Sequence, residues 1–362
     1  MFDKIIIIII IIQNKLLKVV LNIFDKSNCA NCEGIDCLMR CQWIDFDNKD
    51  AAKAEITKMI NSEESRVLSE CITCFACDEY CPYGSHPFDL ITELQEKYSS
   101  LEINPKVLEA TVKRYKPYDE LRLKEIDPSK PVLNKCAFIK TNAHNMEGKL
   151  FDDLQYVGGL NFFCNLLYHH YMRDSVIKER APIIIDAVKK QGIKEMICFH
   201  DECYGFWASY CPRNNIELPA DFKPIHIHEY LYNYLKDHQS EIKKLNIKMA
   251  YQRSCSNRFI PETDQWVDKI CELIGVERVA RKYDRENAMC CAGVFALLGK
   301  TKEMRKAQNE NINDMVEHGA DVAVYCCPMC LESIGSKVKR KGIKNYLLSD
   351  LCRLALGEEL DY

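Results

Sequence analysis

The pattern of apolar and polar positions changes character twice along the chain. Residues 26–100 hold helical, charged segments such as KDAAKAEITKMI. A connector punctuated by Pro105, Pro117, Pro128 and Pro131 follows. From about residue 132, strand-like and helix-like patterns alternate, which predicts α/β structure. Ahead of all this stands an apolar start with an eight-isoleucine run, Ile5 to Ile12, broken by Gln13, Asn14 and Lys15 before Leu16 to Phe24 resumes.

The α/β zone reads as two similar halves, and an internal duplication is expected. The second opens with IKMAYQ (Ile247 to Gln252), a strand ending near Cys255, followed by helical TDQWVDKICELIG. A helix from about Lys302 to Glu317 then leads to the buried-strand pattern DVAVYCC and to CPMC. The first half has KCAFIK in the place of the opening strand, then YVGGLNFF, the helix SVIKERAPIIIDAVKKQG and the strand-like KEMICFH. Their tails, FKPIHIHEYLYNYLKD and IKNYLLSDLCRLALG, also correspond. The expected fold is α+β overall: an apolar segment over 1–25, a helical two-cluster domain with its connector over 26–130, and two pseudo-symmetric α/β domains over 131–245 and 246–362.

Length and an apolar fraction of 47% allow two or three domains with real cores. A net charge of −4 gives no long-range field for nucleic acid. The one basic cluster, Lys337, Lys339, Arg340 and Lys341, reads as a solvated helix end. Eight isoleucines are too few to span a membrane, which takes about 20 residues, and no small-residue cleavage site follows. A buried element or a loosely ordered end is the plain reading of that start, and a peripheral membrane contact the sharper one.

Cysteine changes the picture: there are 21. Disulfide frameworks belong to small, core-poor secreted domains. Here the count is odd, the core is large and the cysteines fall in tight C-x-x-C clusters. That points to a reduced, cytoplasmic interior holding metal clusters. Cys71-x2-Cys74-x2-Cys77-x3-Cys81-Pro82 matches the bacterial ferredoxin run residue for residue. A second run, Cys29-x2-Cys32-x4-Cys37-x3-Cys41, has a longer gap and Gln42 in place of the proline. By ferredoxin logic Cys29, Cys32, Cys37 and Cys81 hold one [4Fe–4S] cubane, and Cys71, Cys74, Cys77 and Cys41 the other. Zinc needs only four ligands and rarely uses this spacing.

A second group lies in the last half: Cys255, then Cys290-Cys291 after 34 residues, then Cys327-x2-Cys330 after 35 more. Neighbouring Cα atoms lie about 3.8 Å apart, shorter than the roughly 4.4–6.8 Å of an ordinary disulfide. Strands ending at one crevice would bring all five thiols together. Five exceed what a cubane or a zinc ion uses, whereas a pair on one tight turn can serve two irons. An iron–sulfur cluster of irregular shape is implied, with Cys326 facing away from it.

The C-x34-Cys-Cys-x35-C-x2-C constellation resembles the cysteine-rich CCG domain of heterodisulfide reductases and their relatives. Ala292 stands where that family usually has glycine, with Gly293 next. The two ferredoxin runs look like the partner subunit that feeds electrons to such domains. The resemblance implies a noncubane [4Fe–4S] cluster on Cys255, Cys290, Cys291, Cys327 and Cys330, and reductive cleavage of a disulfide or related sulfur bond. It also implies a small-molecule disulfide or thiol substrate, an electron-donor protein or flavoprotein subunit, and a membrane subunit as a further partner.

Laying the first half on the second places Asn142 against Cys255, Tyr156-Val157 against the cysteine pair with Gly158-Gly159 as the turn, His200 against Cys327, and Cys203 against Cys330. On that alignment the first half has lost its cluster. His200 then becomes the candidate proton donor for a leaving thiolate, and Cys203 an exchange thiol or extra ligand. Asp201 and Glu202 read as polar filling of a former site as readily as functional groups. His169-His170 and His226/His228 read as packed or capped. Cys136, Cys164, Cys198, Cys211, Cys271 and Cys352 read as small core residues. Tyr230, Tyr232 and Tyr234 read as one helix face, and Arg253 and Arg258 as anion binders or salt-bridge partners. Three functions remain open: a catalytic iron–sulfur oxidoreductase, an electron-transfer subunit without catalysis, and a cluster-bearing assembly factor.

Overall fold

The computed structural model of the protein describes residues 24–139 and 143–360. The isoleucine-rich start and Asn142 lie outside the described residues.

The cysteine-rich N-terminal region is helical. KDAAKAEITKMI forms a helix over Lys49–Ile60, capped by the Asn48 side chain on the Ala51 amide. It buries Ala52, Ile56 and Met59, spaced to share one face. These pack with Val67, Leu68, Leu90, Ile91 and Leu94, and the thiols of Cys29, Cys32 and Cys37 sit in the same apolar cluster. The connector is less irregular than its prolines suggest. Pro105 occupies the first turn of a helix over Pro105–Arg114, where a missing N–H costs nothing.

Two parallel four-stranded sheets follow. Strands β1 (Val132–Asn134), β2 (Gln155–Val157), β3 (Glu195–Cys198) and β4 (Lys223–His226) lie in the order β2-β1-β3-β4. Strands β5 (Ile247–Gln252), β6 (Val276–Arg278), β7 (Val322–Tyr325) and β8 (Lys344–Leu347) repeat that order as β6-β5-β7-β8. Fold class is therefore mixed, with helices throughout and parallel sheets in the latter two thirds. The inner strand β7 is buried along its whole length and reads VAVY. Residues of both sheets share one core, in which Leu133, Ile197 and Leu231 pack with Met249, Val324 and Leu351.

Two expectations need correction here. KCAFIK is not the opening strand: β1 ends at Asn134, and Cys136–Ile139 forms a 3₁₀ turn entered by Cys136 at φ +49°. The three tyrosines of the helix over Ile227–Asp237 do not share a face either. Tyr230 and Tyr234 donate to the carbonyls of Leu150 and Lys149, whereas Tyr232 meets Trp266 on the other side. Residues i and i+2 of a helix point apart, while i and i+4 point together. Among the described residues no helix is long and apolar enough to cross a membrane.

Candidate metal centres

The N-terminal thiols assemble from both runs. Cys29, Cys32 and Cys37 line a small void together with Cys81, Asp36 and Pro82. Cys41, from the first run, lies close enough to Cys71 and Cys74 to interact electrostatically with both, and Cys77 interacts with the same two. Amides point at the sulfurs: Thr73 N–H donates to Cys71 Sγ at 3.3 Å and Ser85 N–H to Cys81 Sγ at 3.3 Å. The turn that aims the Thr73 amide needs Thr73 and Phe75 in the left-handed region, at φ +58° and +62°.

Burial pushes the Cys29 and Cys41 thiols up to about 11, and neighbouring cysteines add to the shift. Buried thiols that repel one another as thiolates need a positive group among them. No group of three or more His, Cys, Asp or Glu side chains among the described residues is arranged to hold a single metal ion. The first set surrounds a small void instead.

The five C-terminal thiols form a contiguous run. Cys255 opens a 3₁₀ turn just after β5, and Cys327 and Cys330 flank the start of the helix over Pro328–Lys339 just after β7. These are carboxyl ends of adjacent parallel strands, where such folds gather their sites. Cys255 contacts Cys290, Cys290 contacts Cys291, Cys291 contacts Cys330, and Cys330 contacts Cys327. The hydrogen bond from Cys290, opposed by burial and aided by His170, holds the Cys255 thiol down at about 5. Contact with Cys330, opposed by burial and aided by His200, holds Cys327 at about 7. Cys326 turns instead towards Asp201.

The turn at the cysteine pair depends on two small residues. Ala292 is fully buried at φ +60° and its amide donates to Cys290 Sγ at 3.4 Å. A side chain on Gly293 would start 3.2 Å from Ser333 Oγ and 3.6 Å from Cys291 Sγ. The N-terminal cysteine-rich region reaches this turn directly. Ile72 packs with Met289, Cys290, Ala292 and Phe295, and Trp43, Cys74, Cys255 and Cys291 lie against the same cluster.

Side chains around the five thiols fall out differently from expectation. Of the two readings of Arg253 and Arg258 the salt-bridge one holds, though not at the surface: both are buried and both pair with Glu79, between Cys77 and Cys81. Asp201 is structural. It is fully buried, accepts from His226 Nε2, Ser254 Oγ and Asn257 Nδ2 at 2.9, 2.6 and 3.0 Å, and so fixes the turn that carries Cys255. His200 does face the thiols. Its Nδ1 accepts the Glu202 amide at 3.2 Å, and its ring hydrogen-bonds Cys327. Burial and the amide on Nδ1 favour the neutral ring, while Cys327, Glu202 and Asp201 push the His200 pKa upward. Cys203 is not brought to this site. It points into the first half, where it meets Cys136 and Cys164.

That trio corrects the alignment of the halves. Val157 pairs with Asn134 inside the first sheet, so Tyr156-Val157 occupies the place of β6 and not of the cysteine pair. Counting gives the true equivalents: 35 residues separate Cys164 from His200, as 35 separate Cys291 from Cys327. Phe163-Cys164 therefore answers Cys290-Cys291, and Cys136, at the end of β1, answers Cys255. The identical spacer was the available signal. Of the histidines read as packed, His170 is the exception: its Nε2 lies 3.8 Å from Cys255 Sγ. No local pattern marks it, because the contact joins residues 85 positions apart.

Residues 249–335 match the CCG cysteine-rich domain family. That span contains all five C-terminal thiols, and it points to an iron–sulfur cluster-binding protein. None of the curated proteins compared matches the sequence. Among solved structures, a hypothetical protein from Helicobacter pylori is 12% identical with a TM-score of 0.56, over 78% of this chain and 61% of that one. The likeness is one of fold, and the chain spans less than two thirds of that structure. An aspartate racemase from Picrophilus torridus is 12% identical, with a TM-score of 0.33 over 64% of this chain and 95% of that one.

Proposed function

We propose that the protein is an iron–sulfur oxidoreductase that reductively cleaves a disulfide or related sulfur bond. Two [4Fe–4S] cubanes, on Cys29, Cys32, Cys37 and Cys81 and on Cys71, Cys74, Cys77 and Cys41, would receive electrons from a donor protein or flavoprotein subunit. A noncubane [4Fe–4S] cluster on Cys255, Cys290, Cys291, Cys327 and Cys330 would be the catalytic centre. The observation that carries this reading is the unbroken run of five thiols, of which Cys255, Cys290 and Cys291 share an apolar cluster with Cys74 of the ferredoxin run.

When bound, the clusters supply one-electron transfer and, at the five-thiol site, iron able to accept a sulfur ligand. The chain's own residues do the rest. Amides of Thr73, Ser85 and Ala292 donate to cysteine sulfurs and favour their negative charge. His200 stands at the edge of the run with Nδ1 occupied as an acceptor, so Nε2 is the atom that holds a proton for a departing thiolate. In balance, one disulfide takes two electrons and two protons and gives two thiols.

The first half enters as support. Phe163 and His200 stand where two of the five ligands would be, so Cys136, Cys164 and Cys203 are a remnant without a cluster. That degeneracy also favours a second reading, an electron-transfer subunit without catalysis that passes electrons to a membrane partner. Turnover with a reduced dye and a panel of small disulfides separates the two. Thiol release at a steady rate supports the enzyme, and a cluster that binds thiol without turnover supports the relay.

A further inference from the structure

Besides its apolar packing, the loop between the first two cysteines of the ferredoxin run makes a polar link to the five-thiol site through one imidazole. Thr73 Oγ1 lies 2.6 Å from His170 Nδ1, and His170 Nε2 lies 3.8 Å from Cys255 Sγ. The ring is held between these partners by aromatic neighbours, with Phe75 5.3 Å away and itself packed on Phe259 at 4.5 Å. Thr73 also sends its own amide to Cys71 Sγ at 3.3 Å. A continuous chain of polar contacts thus runs from Cys71 through Thr73 and His170 to Cys255.

Counting protons gives this chain a direction. A cysteine that ligates metal is a thiolate and has no proton to give. The contact at Cys255 then requires Nε2 to be the donor. In the neutral ring, Nδ1 must in turn be the acceptor, and the proton on Nδ1's side comes from the Thr73 hydroxyl. That hydroxyl has one proton and two candidate takers, His170 Nδ1 and the Ile72 carbonyl at 2.6 Å. Ligation at Cys255 selects the first.

We propose that His170 is a positioning residue of the five-cysteine site, donating from Nε2 to Cys255 Sγ in a tautomer that Thr73 fixes from within the ferredoxin run. The inference rests on the function proposed above. A hydrogen bond to a ligating sulfur stabilises added electron density and raises the reduction potential of the group it holds. The first half, having lost two ligand positions of its own, supplies the second half's site with this imidazole.

The test is a redox titration of anaerobically purified full-length protein, following the EPR signal of the five-cysteine site and those of the cubanes separately. His170→Leu is expected to lower the potential of the five-cysteine site, with iron content and cubane potentials unchanged. His170→Gln, whose amide keeps a donor near the Nε2 position, is expected to restore it in part. Thr73→Val is expected to move it the same way by less, and Thr73→Ser to leave it at the wild-type value. Should His170→Leu fail to assemble, the Thr73 pair decides alone. A potential unmoved by His170→Leu, or moved equally by Thr73→Val and Thr73→Ser, overturns the inference while leaving the proposed function standing. A wild-type protein with iron for two clusters only overturns both.

Discussion

Arg258 Nη1 lies 2.7 Å from Glu79 Oε2, which ties the 3₁₀ turn after β5 to the short helix over Ala76–Tyr80 in the ferredoxin run. Arg253 grips the same carboxylate at 2.8 and 3.0 Å, and Arg258 Nη2 also donates to the Ala288 carbonyl beside the cysteine pair. One carboxylate therefore balances two buried guanidinium groups at the junction of the two cysteine-rich regions. Removing one partner of such a buried group leaves uncompensated charge and costs about 3–5 kcal/mol. Glu79→Gln is expected to lower the unfolding midpoint in denaturant accordingly, and to slow reduction of the C-terminal site more than that of the N-terminal ones. Stopped-flow reduction compared with chemical unfolding checks both effects.

Ala292 offers a test of the turn. A non-glycine residue in the left-handed region costs roughly 1–2 kcal/mol, and Ala292 pays it while fully buried. Ala292→Gly is expected to keep full iron content and to leave stability within about 1 kcal/mol of wild type, since relief of strain offsets added chain entropy. Ala292→Val, β-branched in that conformation and in a closed space, is expected to lose the iron of the C-terminal site alone. Iron analysis of the two variants separates these outcomes.

Asp201 is expected to behave as a structural residue. Asp201→Ala strands buried His226 Nε2 and takes one acceptor from Ser254 and Asn257, which keep contacts with Ser256 and Thr263. A buried group left unsatisfied costs about 1–3 kcal/mol. The variant should therefore be destabilised, whereas His200→Gln should fold normally, as thermal unfolding would show. If the enzyme reading holds, His200→Gln lowers disulfide turnover at least tenfold while dye-driven reduction of the protein stays normal.

Much of this was legible in the chain. The helix over Lys49–Ile60 and strand β5 match their predicted bounds because each has a clear period and clear ends. Cysteine spacing brought out the two N-terminal runs and the five-thiol group. The alignment of the halves went astray because Tyr156-Val157-Gly158-Gly159 mimics the look of a cysteine-pair turn, whereas the constant 35-residue spacer points to Phe163-Cys164. His170 and Glu79 escaped for another reason. Their roles are contacts between regions distant in sequence, and no local pattern records which side chain a folded chain brings across.

The first half gives a sharp prediction of its own. Cys136, Cys164 and Cys203 are buried together, yet two of five ligand positions there are Phe163 and His200. Cys164→Ala is expected to leave iron per chain and every EPR signal unchanged, at a stability loss of about 1 kcal/mol. Loss of iron in this variant would show that the first half holds a group as well.

The most direct measurement is an iron count on anaerobically purified protein, with EPR under oxidising conditions in the presence and absence of added thiol. Three clusters of four predict about 12 irons per chain and a thiol-dependent paramagnetic signal that Cys290→Ser or Cys291→Ser abolishes while the cubane signals persist. About eight irons, with no signal that responds to thiol, would contradict a noncubane cluster on Cys255, Cys290, Cys291, Cys327 and Cys330.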